Sequence, residues 1–132
     1  MTDISISASD GSGEFAAYCA EPTSGSGPGV VVLQEIFGVN QVIRDLCDSF
    51  AANGYIAIAP DLFWRIEPGV TLTDKSQKEW DKAFELMNNF LPQFEKGVSD
   101  IATTISHVRS MEGCSSKVGA VGYCLGGSLA YA

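Results

Sequence analysis

Three short apolar runs decide what this chain can fold into: residues 30–33 (VVVL), 55–59 (YIAIA) and 118–122 (VGAVG). The first is continuous rather than alternating, as expected of a strand buried on both faces of a sheet, the second reads as another buried strand and the third as a short apolar strand. Between the first two, Asn40 supplies a helix cap, Val42, Ile43, Leu46, Cys47 and Phe50 share one helical face, and Gly54 supplies the stop. Strand, helix and strand with short connections require a right-handed crossover, and hence a parallel sheet.

The other segments fit around that unit. Residues 4–8 and 14–20, separated by Asp10-Gly11-Ser12-Gly13, read as a hairpin at the sheet edge. The stretch 21–29 (EPTSGSGPG) reads as a surface loop, because too little chain precedes it for a separate domain. After Pro60-Asp61 comes a long excursion from Leu62 to about Thr73. A helix follows, with Ser76 and Glu79 as its capping box and Trp80, Ala83, Phe84, Met87 and Phe90 at helical spacing. Pro92 separates it from a second helix carrying Phe94, Val98, Ile101, Ile105 and Val108, which ends at Gly113. Leu125 onward reads as a further helix. The fold class is α/β, with residues 1–132 as one domain or part of one.

Sixteen acidic against eight basic side chains give a net charge of −8, which repels phosphate backbones and anionic membranes and disfavours nucleic acid as a partner. The start, MTDISIS, lacks the basic and apolar regions of a signal peptide, and no stretch has the length of a membrane span. The expected location is the cytoplasm. Cys19, Cys47, Cys114 and Cys124 form no C-x-x-C pair, and with one histidine in the chain no metal site is indicated. Reduced thiols are expected.

Gly122-Tyr123-Cys124-Leu125-Gly126 has the G-x-nucleophile-x-G form of a nucleophile elbow, with a strand before it and a helix after it. Cysteine stands where serine is usual. The flanking glycines relieve crowding at so sharp a turn, and the helix N-terminus favours the thiolate. The Leu125 N–H is a candidate oxyanion donor. Glycine-rich strand-to-helix turns also hold phosphates, but Cys124 occupies the second glycine of a dinucleotide fingerprint and no Walker lysine follows. Glu35 leaves the first buried strand at the end where ligands of open α/β sheets bind, and the Ile36 N–H is a second candidate oxyanion donor. His107 falls on the polar side of its helix with Asp100 and Thr103, precedes the nucleophile in the chain, and is read as an exposed residue outside the site. Cys19, Cys47 and Cys114 read as structural.

QEIFGVN at 34–40, GYIAIAPDLF at 54–63 and KVGAVGYCLGG at 117–127 resemble dienelactone hydrolases, and the resemblance covers nearly the whole chain. It implies an α/β-hydrolase fold, a mostly parallel sheet with flanking helices, cut off here after the elbow. It further implies a carboxylic ester hydrolase of the carboxymethylenebutenolidase type that acts on a small lactone or ester through a cysteine acyl-enzyme, without a cofactor. Cys124 would be the nucleophile, Glu35 would help form its thiolate, and the Ile36 and Leu125 amides would hold the oxyanion. The family's substrate-carboxylate arginine aligns with Trp80, with Lys78 or Lys82 as imperfect substitutes, so a more apolar ester is expected, with Trp80 and Phe37 against the substrate. The family's later strands, with their aspartate and histidine, are absent from these residues. The 132 residues alone are therefore expected to be inactive and prone to aggregate. The other reading is a catalytically silent binding or interaction module built on the half-sheet. Oligomeric state is left open.

Overall fold

The computed structural model describes residues 2–122. Two antiparallel strands, β1 (Thr2–Ser7) and β2 (Glu14–Ala20), open the fold, followed by β3 (Gly27–Leu33), helix α1 (Gln41–Ala52) and β4 (Ile56–Pro60). Helix α2 (Gln77–Phe90) continues through a 3-10 turn (Leu91–Gln93) into α3 (Phe94–Ser110), and β5 (Cys114–Gly122) follows. The sheet order is β1-β2-β4-β3-β5, with β3 parallel to β4 and to β5. The β2 strand runs antiparallel to both neighbours, so only β1 of the hairpin is an edge strand.

The strand residues divide by parity between two cores. Val31, Leu33 and Ile58 face α2 and α3, where Phe63, Leu86, Phe90, Ile101 and Val108 pack. Val30, Val32, Ala57 and Ala59 face α1 through Ile43, Cys47 and Ala51. Helices therefore cover both sheet faces, which is why these strands are apolar throughout.

The helix starts follow the sequence signals. Asn40 Oδ1 accepts the Ile43 N–H at 3.3 Å and caps α1. Ser76 Oγ accepts the Glu79 N–H at 3.2 Å, while the Glu79 carboxylate takes the N–H and hydroxyl of Thr73. The box thus reaches back to the excursion. Within the helices the buried stripe sits slightly off the one inferred from spacing: Leu86 is buried, whereas Val42 (68% exposed) and Phe84 (46% exposed) face outward.

Three expectations are corrected. The segment read as a loop over 21–29 already contains the start of β3. Its glycines are needed there because a Cβ on Gly27 would lie 2.0 Å from the Gly54 carbonyl oxygen, and one on Gly29 2.5 Å from Val108. Strand β5 likewise begins at Cys114 rather than at residue 118. Its Ser115, Ser116 and Lys117 are exposed, and the register of β3 against it shifts between Gly27 and Gly29, which hid the strand from an apolar-run reading. Finally, Asp100 does not sit on an exposed polar face but is 1% exposed. It accepts from Arg65 Nη2 (2.9 Å), Arg65 Nε (3.0 Å) and Trp64 Nε1 (2.9 Å). Arg65 also reaches Asp10 at 3.0 Å, tying the excursion and α3 to the hairpin turn.

This network should dominate the polar contribution to stability. Removing one partner of a buried ion pair typically costs about 3–5 kcal/mol. Asp100→Ala should approach that in urea unfolding, whereas Asp3→Ala, at the exposed Arg44–Asp3 pair, should cost under about 1 kcal/mol. The Ser12 hydroxyl and N–H, with Arg65, hold the Asp10 carboxyl well below the usual carboxylate range. A depressed folded-state pKa stabilises above the unfolded value, and that contribution is lost as the pH falls below about 4. Asp10→Asn should therefore flatten the acid limb of the stability profile; an unchanged limb would discount the carboxylate.

Candidate active site

The candidate site lies where the parallel strands end. Leu33 pairs with Gly122 in the β3–β5 ladder, so the end of β3 lies level with Gly122 of β5. The first residue beyond β3, Gln34, is fully buried. Its Oε1 accepts the Leu62 N–H at 2.8 Å, and its Nε2 donates to the Glu35 carbonyl at 3.3 Å. That carbonyl also accepts the Gly38 N–H at 3.3 Å, closing a tight turn over residues 35–38. Gly38 adopts φ +84°, and a Cβ there would lie 2.1 Å from the Val70 carbonyl oxygen. The excursion is stitched to this turn by the Leu72 N–H to Phe37 carbonyl bond (2.8 Å) and by Asn40 Nδ2 to the Leu72 carbonyl (2.8 Å).

Glu35 is half-buried and borders two open cavities. One, of about 330 Å³, is shared with Phe37, Asn40, Thr73, Asp74 and Lys75; the other, of about 430 Å³, with Val42, Ile43, Asp45 and Leu46. Phe37 is buried and meets Trp80 edge to face, ring centroids 5.0 Å apart, and Trp80 stacks on Phe84 at 5.7 Å. Trp80 Nε1–H donates to the Asp74 carbonyl at 2.8 Å, which fixes the indole beside the first cavity's wall. Ile36 is half-buried, and among the described residues nothing accepts its N–H.

Of the lysines considered as carboxylate partners, Lys82 is taken by Glu67 at 2.8 Å, a contact that raises its pKa, and Lys78 is exposed. The cation that does line the cavity, Lys75, was missed in the sequence; its only local signal is its place just before the Ser76 cap. Gln34 and Asp61 were missed as well. Asp61 is buried at the end of β4, accepts the Phe63 and Gly69 N–H groups at 3.2 and 2.9 Å, and has its carboxyl pushed up by burial.

His107 is half-buried rather than exposed. It lies in the last turn of α3, just before β5 begins, and so near the sheet end opposite Glu35. Cys19 and Cys47 are buried, and burial pushes both thiols up, Cys47 to about 12. Cys114 is half-buried. Among the described residues, no group of three or more His, Cys, Asp or Glu is placed to hold a metal ion, and no helix is long and apolar enough to cross a membrane. Cys124 and Leu125 lie outside the described residues.

A carboxymethylenebutenolidase of Pseudomonas putida is 38% identical over 128 residues, which is 97% of this chain and 53% of that protein. A relative from Azospirillum brasilense is 66% identical over 89 residues, 67% of this chain and 38% of its own. The chain thus spans about half the length, or less, of these curated relatives. Among solved structures, m3DLH superposes with a TM-score of 0.74 at 23% identity, over 98% of this chain and 52% of that one, which speaks for the fold. A family model described as the dienelactone hydrolase family matches residues 15–132. With that match spanning almost the entire length, this chain belongs to the dienelactone hydrolase family.

Proposed function

We propose that this chain carries the nucleophile and oxyanion side of a hydrolase site that opens a lactone or cleaves a carboxylic ester through an acyl-thioester on Cys124. The observation that carries the reading is the parallel pairing of Leu33 with Gly122. Glu35 follows Leu33 by two residues at the end of a parallel strand, where ligands of open α/β sheets bind, and in the sequence Cys124 follows Gly122 by two.

Glu35 takes up the thiol proton, leaving the Cys124 thiolate. The sulfur electron pair attacks the carbonyl carbon, and the C=O π pair moves to oxygen. The Ile36 and Leu125 N–H groups hold that oxyanion. Collapse of the intermediate breaks the C–O bond to the leaving oxygen, which takes up a proton. Water then adds to the thioester, releasing the acid and returning the thiol. The aspartate and histidine that the family carries in its later strands would cycle these protons. Phe37 and Trp80 present aromatic surface to the substrate, which suits an apolar ester.

Two measurements on the protein as its gene encodes it test this reading. Iodoacetamide should modify Cys124 at least about tenfold faster than Cys19 or Cys47, whose buried thiols stay protonated. Glu35→Gln should lower kcat/KM for an aryl ester by about 10²-fold. Equally slow alkylation of every thiol, together with no ester turnover, would replace the hydrolase by a binding module.

A further inference from the structure

We propose that Gln34 is a positioning residue for the oxyanion donor: its side-chain amide fixes the orientation of the Glu35–Ile36 peptide group, and with it the direction of the Ile36 N–H. The inference rests on the hydrolase reading and extends it to a residue that touches no substrate.

The Glu35 carbonyl and the Ile36 N–H belong to one planar trans peptide, so fixing the oxygen fixes the hydrogen on its opposite side. That oxygen has two lone pairs, and two donors use them: Gln34 Nε2 and the Gly38 N–H, both at 3.3 Å. Ile36 follows the first residue of the 35–38 turn, so the turn leaves its N–H unused, and among the described residues it has no acceptor. A donor left free by its own turn, on a peptide held from behind, is what an oxyanion site requires. Donation into the carbonyl oxygen also polarises the peptide, which strengthens its N–H as a donor.

The amide that does the holding is itself held. Gln34 is fully buried, and its Oε1 accepts the Leu62 N–H at 2.8 Å, which leaves Nε2 aimed at Glu35. Glutamine is the side chain that performs both tasks at once: ionised glutamate keeps the acceptor and loses the donor, and methionine keeps the volume with no donor and only a weak acceptor.

Gln34→Glu and Gln34→Met, made in the protein as its gene encodes it, separate positioning from mere packing. For hydrolysis of an aryl ester, kcat should fall about ten- to a hundredfold with KM near the wild-type value, somewhat less than the loss on deleting an oxyanion donor outright. The rate of Cys124 alkylation by iodoacetamide should stay near the wild-type value, because displacement at a saturated carbon builds no oxyanion. An unchanged kcat in the folded variants would overturn the role of Gln34 while leaving the hydrolase reading intact. A parallel fall in kcat, alkylation rate and melting temperature, or loss of the fold in both variants, would make Gln34 a packing residue and overturn it too. Wild-type protein without esterase activity would overturn both.

Discussion

The two parallel ladders that β3 makes, with β4 on one side and β5 on the other, fix everything at the candidate site. A one-residue slip in either would exchange Val31 and Leu33 with Val30 and Val32 between the two cores. Each core is matched to one parity. Leu33 and Val31 meet phenylalanines and branched residues from α2, α3 and the excursion, while Val30 and Val32 meet the smaller α1 face with Cys47 and Ala51. A slip would overpack one side and leave voids on the other, each costing on the order of 1–3 kcal/mol per misplaced side chain. The register that sets Leu33 level with Gly122 therefore follows from core packing, not from contacts at the site.

Beyond the strand ends, order comes from buried polar groups. The excursion contains no helix or long strand, yet Leu62 and Phe63 are fully buried and its backbone must find partners. Gln34 takes the Leu62 N–H, Asp61 takes those of Phe63 and Gly69, and the Phe37 carbonyl takes that of Leu72. Arg65 and Trp64 then converge on Asp100, which pins the same segment to α3. Without Gln34 or Asp61 the buried Leu62 or Phe63 N–H would be stranded, at about 1–3 kcal/mol. The loop that walls the cavity is thus rigid for the reason a strand is, with side chains standing in for the ladder.

Those side chains are also what the sequence concealed. The apolar runs pointed to a parallel sheet, and Asn40, Ser76 and Glu79 to the helix starts, because both signals are local. Asp100 looked like a surface residue since its partner Arg65 lies 35 positions away, and no periodicity announces a buried ion pair. Glycine content made the start of β3 look like a loop, although Gly27 and Gly29 are there to admit Gly54 and Val108. Glu35 drew notice because a carboxylate at the end of an apolar strand is costly without a task, and the structure puts it at the border of two cavities. Gln34 beside it was not, because an amide is an ordinary residue until its two partners are seen.

The same contrast governs the cysteines. Cys47 is enclosed by apolar side chains of the α1 core, and its thiol is driven toward the neutral form by desolvation, with the nearby Asp48 charge adding to the effect. Cys19 is raised by burial in the same way. A thiol at the junction of a strand and a helix N-terminus meets the opposite conditions, unpaired N–H groups and a positive dipole end, both favouring the anion. What separates an inert cysteine from a reactive one is therefore how far its sulfur can be solvated or paired as an anion. By that criterion Cys19 and Cys47 are set for packing, since burial keeps both sulfurs from being solvated as anions.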